Sequence, residues 1–129
     1  MRLFEKRGSI LIVDDDEDNL LMLQYALEEL GYSIVQARSG REAMALASSC
    51  LPKLILLDIR LPDINGIAVI KHLKRQPETQ AIPIIAVTAL ASTVDRARIL
   101  AAGFADYLSK PYMLDELAEL ISLHLSPEG

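Results

Sequence analysis

The chain has 129 residues, 51% hydrophobic and 24% charged, with a formal net charge of −5. This is one domain's worth of chain with enough apolar content for a packed core, so extended disorder is excluded. The acidic balance argues against a nucleic-acid surface, the lone Cys50 rules out an intramolecular disulfide or cysteine metal site, and no apolar run approaches the ~18 residues needed to span a bilayer.

Residues 1–8 are charged, lack a signal-peptide core and read as a leader. Ser9–Val13 is the first strand, and Ile10-Leu11-Ile12-Val13 is apolar at consecutive positions, as in a strand buried on both faces. Asp14, Asp15 and Asp16 follow. Asp16 is placed to cap a helix, with Glu17 and Asp18 suited to the positive end of its dipole. Asp14 and Asp15 lie on the strand side of that cap, and crowded like charges need a cation or a proton to relieve them. The first helix carries Leu20, Leu23, Leu27 and Leu30 on one face and ends at Gly31. Ile34–Ala37 is the second strand. Ser39 with Glu42 forms a capping box for a second helix that runs to about Ser49 and buries Ala43, Leu46 and Ala47.

Pro52 leads into Leu54-Ile55-Leu56-Leu57-Asp58, an apolar strand that stops in a carboxylate. Asp58 alone has a plainer account as a turn former. Yet ligands of open parallel sheets bind beyond the carboxyl ends of the strands, which is where it lies. Ile67, Ile70 and Leu73 mark a third helix, and Gln76–Gln80 is a polar connection. Pro83 opens the fourth strand, Ile84–Val87, which ends in Thr88. Ser92 with Asp95 caps a fourth helix that Gly103 closes. Ala105–Leu108 is the fifth strand, followed by Ser109-Lys110-Pro111. The last helix buries Leu114, Leu117, Ile121 and Leu125, and residues 126–129 are a tail.

Strict alternation of five strands and five helices predicts an α/β sandwich with a parallel sheet and right-handed crossovers. The flavodoxin-like doubly wound order 2-1-3-4-5 suits it and sets strands 1 and 3 on either side of the switch point. Asp14, Asp15, Asp58, Thr88 and Lys110 then meet at one mouth. Three carboxylates suit a hard divalent cation such as Mg²⁺. A carboxylate can attack a phosphoryl group, a lysine can neutralise phosphoryl charge and a threonine hydroxyl can donate to a phosphoryl oxygen. These are the parts of phosphoryl transfer. No glycine-rich loop followed by Lys-Ser/Thr occurs, so nucleotide hydrolysis is not indicated.

Val13-Asp14-Asp15, Leu57-Asp58, Leu61-Pro62-Asp63-Ile64-Asn65-Gly66, Val87-Thr88-Ala89 and Leu108-Ser109-Lys110-Pro111 together resemble the receiver domain of two-component response regulators, of the chemotaxis-regulator-like kind. The resemblance covers roughly residues 9–125, and the 2-1-3-4-5 order rests on it as much as on the alternation. It implies Asp58 as phosphoacceptor. It also implies a Mg²⁺ site of Asp14, Asp15, Asp58 and the Arg60 backbone carbonyl, Asp15 binding directly and Asp14 directly or through water. Thr88 and Lys110 would hold the phosphoryl oxygens, aided by the Ala89 N–H, and Lys110–Pro111 would be cis. Tyr107 would be the switch aromatic coupled to Thr88. Arg60 and Leu90 match positions that tune how long the modified state lasts.

On this reading the chain is a cytoplasmic phosphorylation switch, not an enzyme acting on other molecules. Its partners would be a histidine kinase or histidine phosphotransfer protein, and a downstream protein met by the face of helix 4, strand 5 and helix 5. There Arg96 and Arg98 oppose Asp115, Glu116 and Glu119. With no Lys or Arg after Lys110, a monomer or weak dimer is expected, with no nucleic-acid or membrane partner. A stand-alone regulator is expected rather than a piece of a larger one. The alternatives are a constitutive interaction module of the same fold, which the retained Asp14, Asp15, Asp58, Thr88 and Lys110 argue against, and a metal-dependent phosphatase. His72 and His124 are expected at the surface without a role, and Cys50 as a buried or inert thiol.

Overall fold

A computed structural model of the chain describes residues 8–89 and 92–125. Its elements alternate as β1 (Ser9–Val13), α1 (Glu17–Glu29), β2 (Ser33–Ala37), α2 (Gly40–Cys50), β3 (Leu54–Asp58), α3 (Gly66–Lys74), β4 (Ile84–Thr88), α4 (Thr93–Ala101), β5 (Asp106–Ser109) and α5 (Leu114–His124). All strand pairs are parallel and the order is β2-β1-β3-β4-β5. The expected architecture and order are therefore present. The fifth strand begins one residue later than the sequence pattern placed it, at Asp106 rather than Ala105.

The period-2 geometry of strands divides the core into two layers. Leu11, Val13, Ile55, Leu57, Ile84 and Ala86 point to one side and meet Ala43, Ala47, Val69, Ile70, Leu73 and Ile99 of α2, α3 and α4. Ile10, Ile12, Leu54, Leu56, Ile85 and Val87 point to the other and meet α1 and α5 through Leu20, Leu23, Leu27, Leu117 and Ile121. β1, β3 and β4 need no polar face because both of their faces are covered. No helix among the described residues is long and apolar enough to cross a membrane.

Helix ends follow local chemistry. Asp16, Ser39, Asn65 and Ser92 cap α1 to α4 through side-chain oxygens that accept from Asp18, Glu42, Ile67 and Asp95 N–H groups. α5 starts at Met113, which has no capping oxygen, and Glu116 Oε1 reaches back to the Met113 N–H at 2.9 Å. Helical packing departs from the pattern at the ends. Leu114 is 47% exposed and Leu30 40%, and Leu125 and Ile67 are only half-buried; Val69, not Ile67, is the buried residue of that turn of α3. Cys50 is exposed, so of the expected buried or inert thiol the burial does not hold: it ends α2 on the solvent side. His124 is not an idle surface residue either. It is half-buried, and its Nε2 lies 3.1 Å from Asp106 Oδ2, joining the end of α5 to the start of β5.

α2 ends at Leu51 in the left-handed region, φ 47° and ψ 62°, with its side chain largely in solvent. A Cβ in that region costs about 1 kcal/mol, which glycine avoids. Leu51→Gly should therefore raise stability by about 0.5–1 kcal/mol, read as a higher urea midpoint at unchanged slope. A lower midpoint would mean that Leu51 contributes packing its exposure does not reveal.

Candidate functional site

The carboxyl ends of β1, β3, β4 and β5 converge on one edge of the sheet. Val13 pairs with Leu57 in the ladder, so the next residue of each strand, Asp14 and Asp58, flanks the switch point side by side. Both are nearly inaccessible, at 4% and 7%, whereas Asp15 is exposed. One carboxylate oxygen from each of Asp14, Asp15 and Asp58 lies within 4.8 Å of the others. An octahedral Mg²⁺ with ligands at about 2.1 Å needs opposite oxygens about 4.2 Å apart, so small side-chain movements suffice to hold one. The donors are all oxygen, which is the chemistry such an ion requires.

Lys110 joins this group from the end of β5. Its Nζ donates to Asp58 Oδ2 at 3.0 Å and to Asp14 Oδ2 at 3.3 Å. Its own N–H bonds the Thr88 carbonyl at 2.8 Å, and Lys110–Pro111 is cis, as the resemblance implied. The other Asp58 oxygen, Oδ1, accepts from the Arg60 N–H at 3.0 Å. Asp14 Oδ1 accepts from the Asp16 N–H at 3.0 Å and Oδ2 from Asn19 Nδ2 at 3.3 Å. Every carboxylate oxygen of the two buried acids thus has a donor.

Charge is not balanced, however. Three carboxylates face one ammonium. Burial pushes the Asp58 carboxyl above its ordinary value of 3.8, against the Arg60 N–H and the Lys110 ammonium, while the Asp14 charge adds to the rise. Burial alone would lower Lys110, but its bonds to Asp58 and the charges of Asp58 and Asp14 outweigh that and hold it above 10.5. A second cation would relieve the excess.

Thr88 is buried at the end of β4. Its neighbour on the same face of that strand, Ala86, is in register with Tyr107 of β5, which places Thr88 and Tyr107 on one side of the sheet. The Tyr107 ring is half-buried and lies under the Arg96 guanidinium of α4, whose Cζ is 5.1 Å from the ring centroid. The Arg60 side chain is exposed and forms no ion pair with an acid among the described residues. Leu90 lies outside them. A cleft of about 520 Å³ opens beside Lys110, lined among others by Asn19, Met22, Ala89, Pro111 and Tyr112.

The loop between β3 and α3 is drawn tight against the site. The Gly66 N–H bonds the Ile59 carbonyl at 2.8 Å. A Cβ at Gly66 would sit 2.8 Å from Ile59 Cα and 2.9 Å from the Asp58 carbonyl, both unyielding backbone. Only glycine allows α3 to start this close to the end of β3.

All the residues that the sequence pointed to at the strand ends do gather here. Several contributors were missed. Asn19 is a surface-type residue one turn into α1, and nothing in its spacing marks it as a donor to Asp14. Asp63 stood in the loop motif without a role of its own, yet its carboxylate accepts from the first two amides of α2. Arg96 was expected on the face of helix 4, strand 5 and helix 5, but not over the Tyr107 ring.

A doubly wound parallel sheet with an acidic, lysine-bridged cleft at its switch point defines a flavodoxin-like α/β domain. Residues 10–122 match the family model of the response regulator receiver domain, and the chain belongs to that family. It is 42% identical over 117 residues to the polar-differentiation response regulator DivK of Brucella ovis, spanning 91% of this chain and 95% of that protein. Among solved structures it superposes on the chemotaxis response regulator CheY4 of Vibrio cholerae with a TM-score of 0.87 at 27% identity, over 92% of this chain and 98% of that one. The receiver domain of the sensor histidine kinase PA1611 of Pseudomonas aeruginosa, crystallised with a magnesium ion coordinated in its active-site cleft, gives 0.85 at 33% identity, over 92% and 97%.

Proposed function

We propose that this receiver accepts a phosphoryl group on Asp58 from a phosphohistidine of a histidine kinase or phosphotransfer protein, and that Mg²⁺ is required. The observation that carries the proposal is the Asp58 carboxylate held 3.0 Å from Lys110, with Asp14 and Asp15 oxygens within 4.8 Å. An Asp58 oxygen attacks phosphorus, an O–P bond forms, and the P–N bond breaks. The imidazole leaves with the electron pair and takes up a proton. The cleft beside Lys110 has room for a donor side chain to approach from the α1 side.

Asp14, Asp15, Asp58 and the Arg60 carbonyl would hold Mg²⁺, which supplies positive charge against the phosphoryl oxygens when bound. Lys110, freed from Asp58, follows the transferred charge, and the Thr88 hydroxyl and Ala89 N–H donate to the remaining oxygens. Drawing Thr88 toward the phosphoryl group opens space on the face it shares with Tyr107. The aromatic turns inward, and the surface of α4, β5 and α5 changes. This is a two-state element biased by a local charge, as coupling between sites requires. On that surface the exposed Arg96 and Arg98 stand against the exposed Asp115, Glu116 and Glu119. A protein partner with a basic patch complements α5, and symmetric pairing of two such acidic helices is disfavoured, leaving a monomer or weak dimer.

The test is incubation with acetyl phosphate and Mg²⁺, followed by intact mass. One added phosphoryl group is expected, and none after chelation of the metal. An adduct that forms equally with chelator present would remove the metal from the reaction.

A further inference from the structure

The β3–α3 loop carries the Arg60 carbonyl, and Arg60, Pro62 and Asn65 are exposed to solvent. Something must hold it in place. The Gly66–Ile59 bond anchors its base. The second anchor is Asp63, which fastens the loop to a different element. Its Oδ1 accepts from the Gly40 N–H at 2.8 Å and its Oδ2 from the Arg41 N–H at 3.0 Å, the first two residues of α2. This is a carboxylate spread across two consecutive amides at the positive end of a helix dipole, a charge-assisted pair of bonds. Those bonds, led by the one from Gly40, hold the Asp63 carboxyl below the ordinary range. Arg41 adds only a loose side-chain contact, Nε to Oδ2 at 3.8 Å.

α2 already has its own cap, though not the full capping box, since Glu42 reaches back to the residue before the cap. Ser39 Oγ accepts from the Glu42 N–H at 3.1 Å, and Glu42 Oε1 accepts from the Arg38 N–H at 2.8 Å. The bonds from Asp63 come on top of it and span a separation of more than twenty residues. The fit also depends on Gly40, where a Cβ would lie 3.0 Å from both Ile64 Cβ and Val69 Cγ2. The first turn of α2 and the loop are therefore shaped to each other.

We infer that Asp63 is a positioning residue: by clamping the β3–α3 loop to the first turn of α2 it sets where the Arg60 carbonyl stands, and so the affinity of the acidic cleft for Mg²⁺, without touching the ion. The inference rests on the metal reading of the cleft. Linkage makes the effect reciprocal. If the clamp favours the ion, the ion tightens the clamp, and the Gly40 and Arg41 amides should exchange more slowly with solvent when Mg²⁺ is present.

Calorimetric titration of MgCl₂ into the full chain tests this, at low and high salt. Removal of a residue that orients a metal ligand typically weakens binding by about tenfold or more, and that loss is expected for Asp63→Ala. Asp63→Asn, which keeps one acceptor for Gly40, should fall between the two. The loss should persist at high salt, because it comes from geometry rather than long-range charge. A structural role alone would lower melting temperature and leave the dissociation constant unchanged. Affinity within twofold of wild type in both variants would overturn the inference. So would a loss that vanishes at high salt, or Gly40 and Arg41 exchange that ignores Mg²⁺ in the wild type. If the wild type itself binds no Mg²⁺, the metal reading falls and takes this inference with it, a result distinct from the others.

Discussion

Asp58→Asn is expected to accept no phosphoryl group and, at neutral pH, to melt at a higher temperature than the wild type. The first effect is complete, because an amide oxygen is no nucleophile toward phosphorus. The second comes from electrostatics. Asp58 is buried among two other carboxylates with one lysine between them. Burial and the Asp14 charge raise its pKa in the folded chain above the unfolded value near 3.8. A carboxyl shifted in that direction contributes stability that is present below the unfolded pKa and is lost as pH rises through the folded pKa. Asparagine resembles the protonated form and never pays that penalty. The difference in melting temperature between variant and wild type should therefore grow as pH rises from below 3.8 through the raised folded value, then level off. Melts of both proteins across the acid range measure it. A variant that melts lower at neutral pH would mean that the bonds to Lys110 and the Arg60 N–H outweigh the repulsion. A labelled variant would place the phosphoryl group elsewhere.

Addition of Mg²⁺ should stabilise the fold, and Asp15→Ala should remove most of that gain. A ligand at a hundred times its dissociation constant adds about 2.7 kcal/mol, or about 8–10 °C for a domain of this size. Asp15 suits the test because its side chain is exposed and its loss opens no cavity. Without metal, the variant should melt no lower than the wild type, since one like charge has gone from the cluster. With millimolar Mg²⁺, the shift should shrink to less than about a third of the wild-type value. An undiminished shift would rule out Asp15 as an essential ligand and leave Asp14 and Asp58 to hold the ion between them.

Much of this site was legible because its parts sit at strand ends. A fully apolar run such as Leu54–Leu57 has to lie in the middle of the sheet, and the polar residue that ends it has to emerge at the edge. Once three such runs and two less apolar strands alternate with helices, the crossover rule brings Asp14, Asp58, Thr88 and Lys110 to the same edge. Helix starts were legible for a similar reason. Asp16, Ser39 and Ser92 bond amides two or three residues away, and that geometry is set within one turn of chain.

The sequence by itself determined the alternation, the two-sided burial of β1, β3 and β4, the edge on which the chemistry lies and the caps of α1, α2 and α4, since each depends on periods of two or 3.6 residues or on bonds within a turn. The tertiary structure decided what those periods cannot reach. Asp63 meets the start of α2, Arg96 covers Tyr107, and His124 pairs with Asp106, only because separate elements pack at a particular distance and angle. It also decided which helix-end residues stay wet. Leu114 and Leu30 carry the right period for burial, but each sits at a helix end on the rim of the groove between α1 and α5, where no further element among the described residues covers it. A hydrophobic period specifies the direction in which a side chain points. Whether anything covers it there depends on the elements that pack alongside.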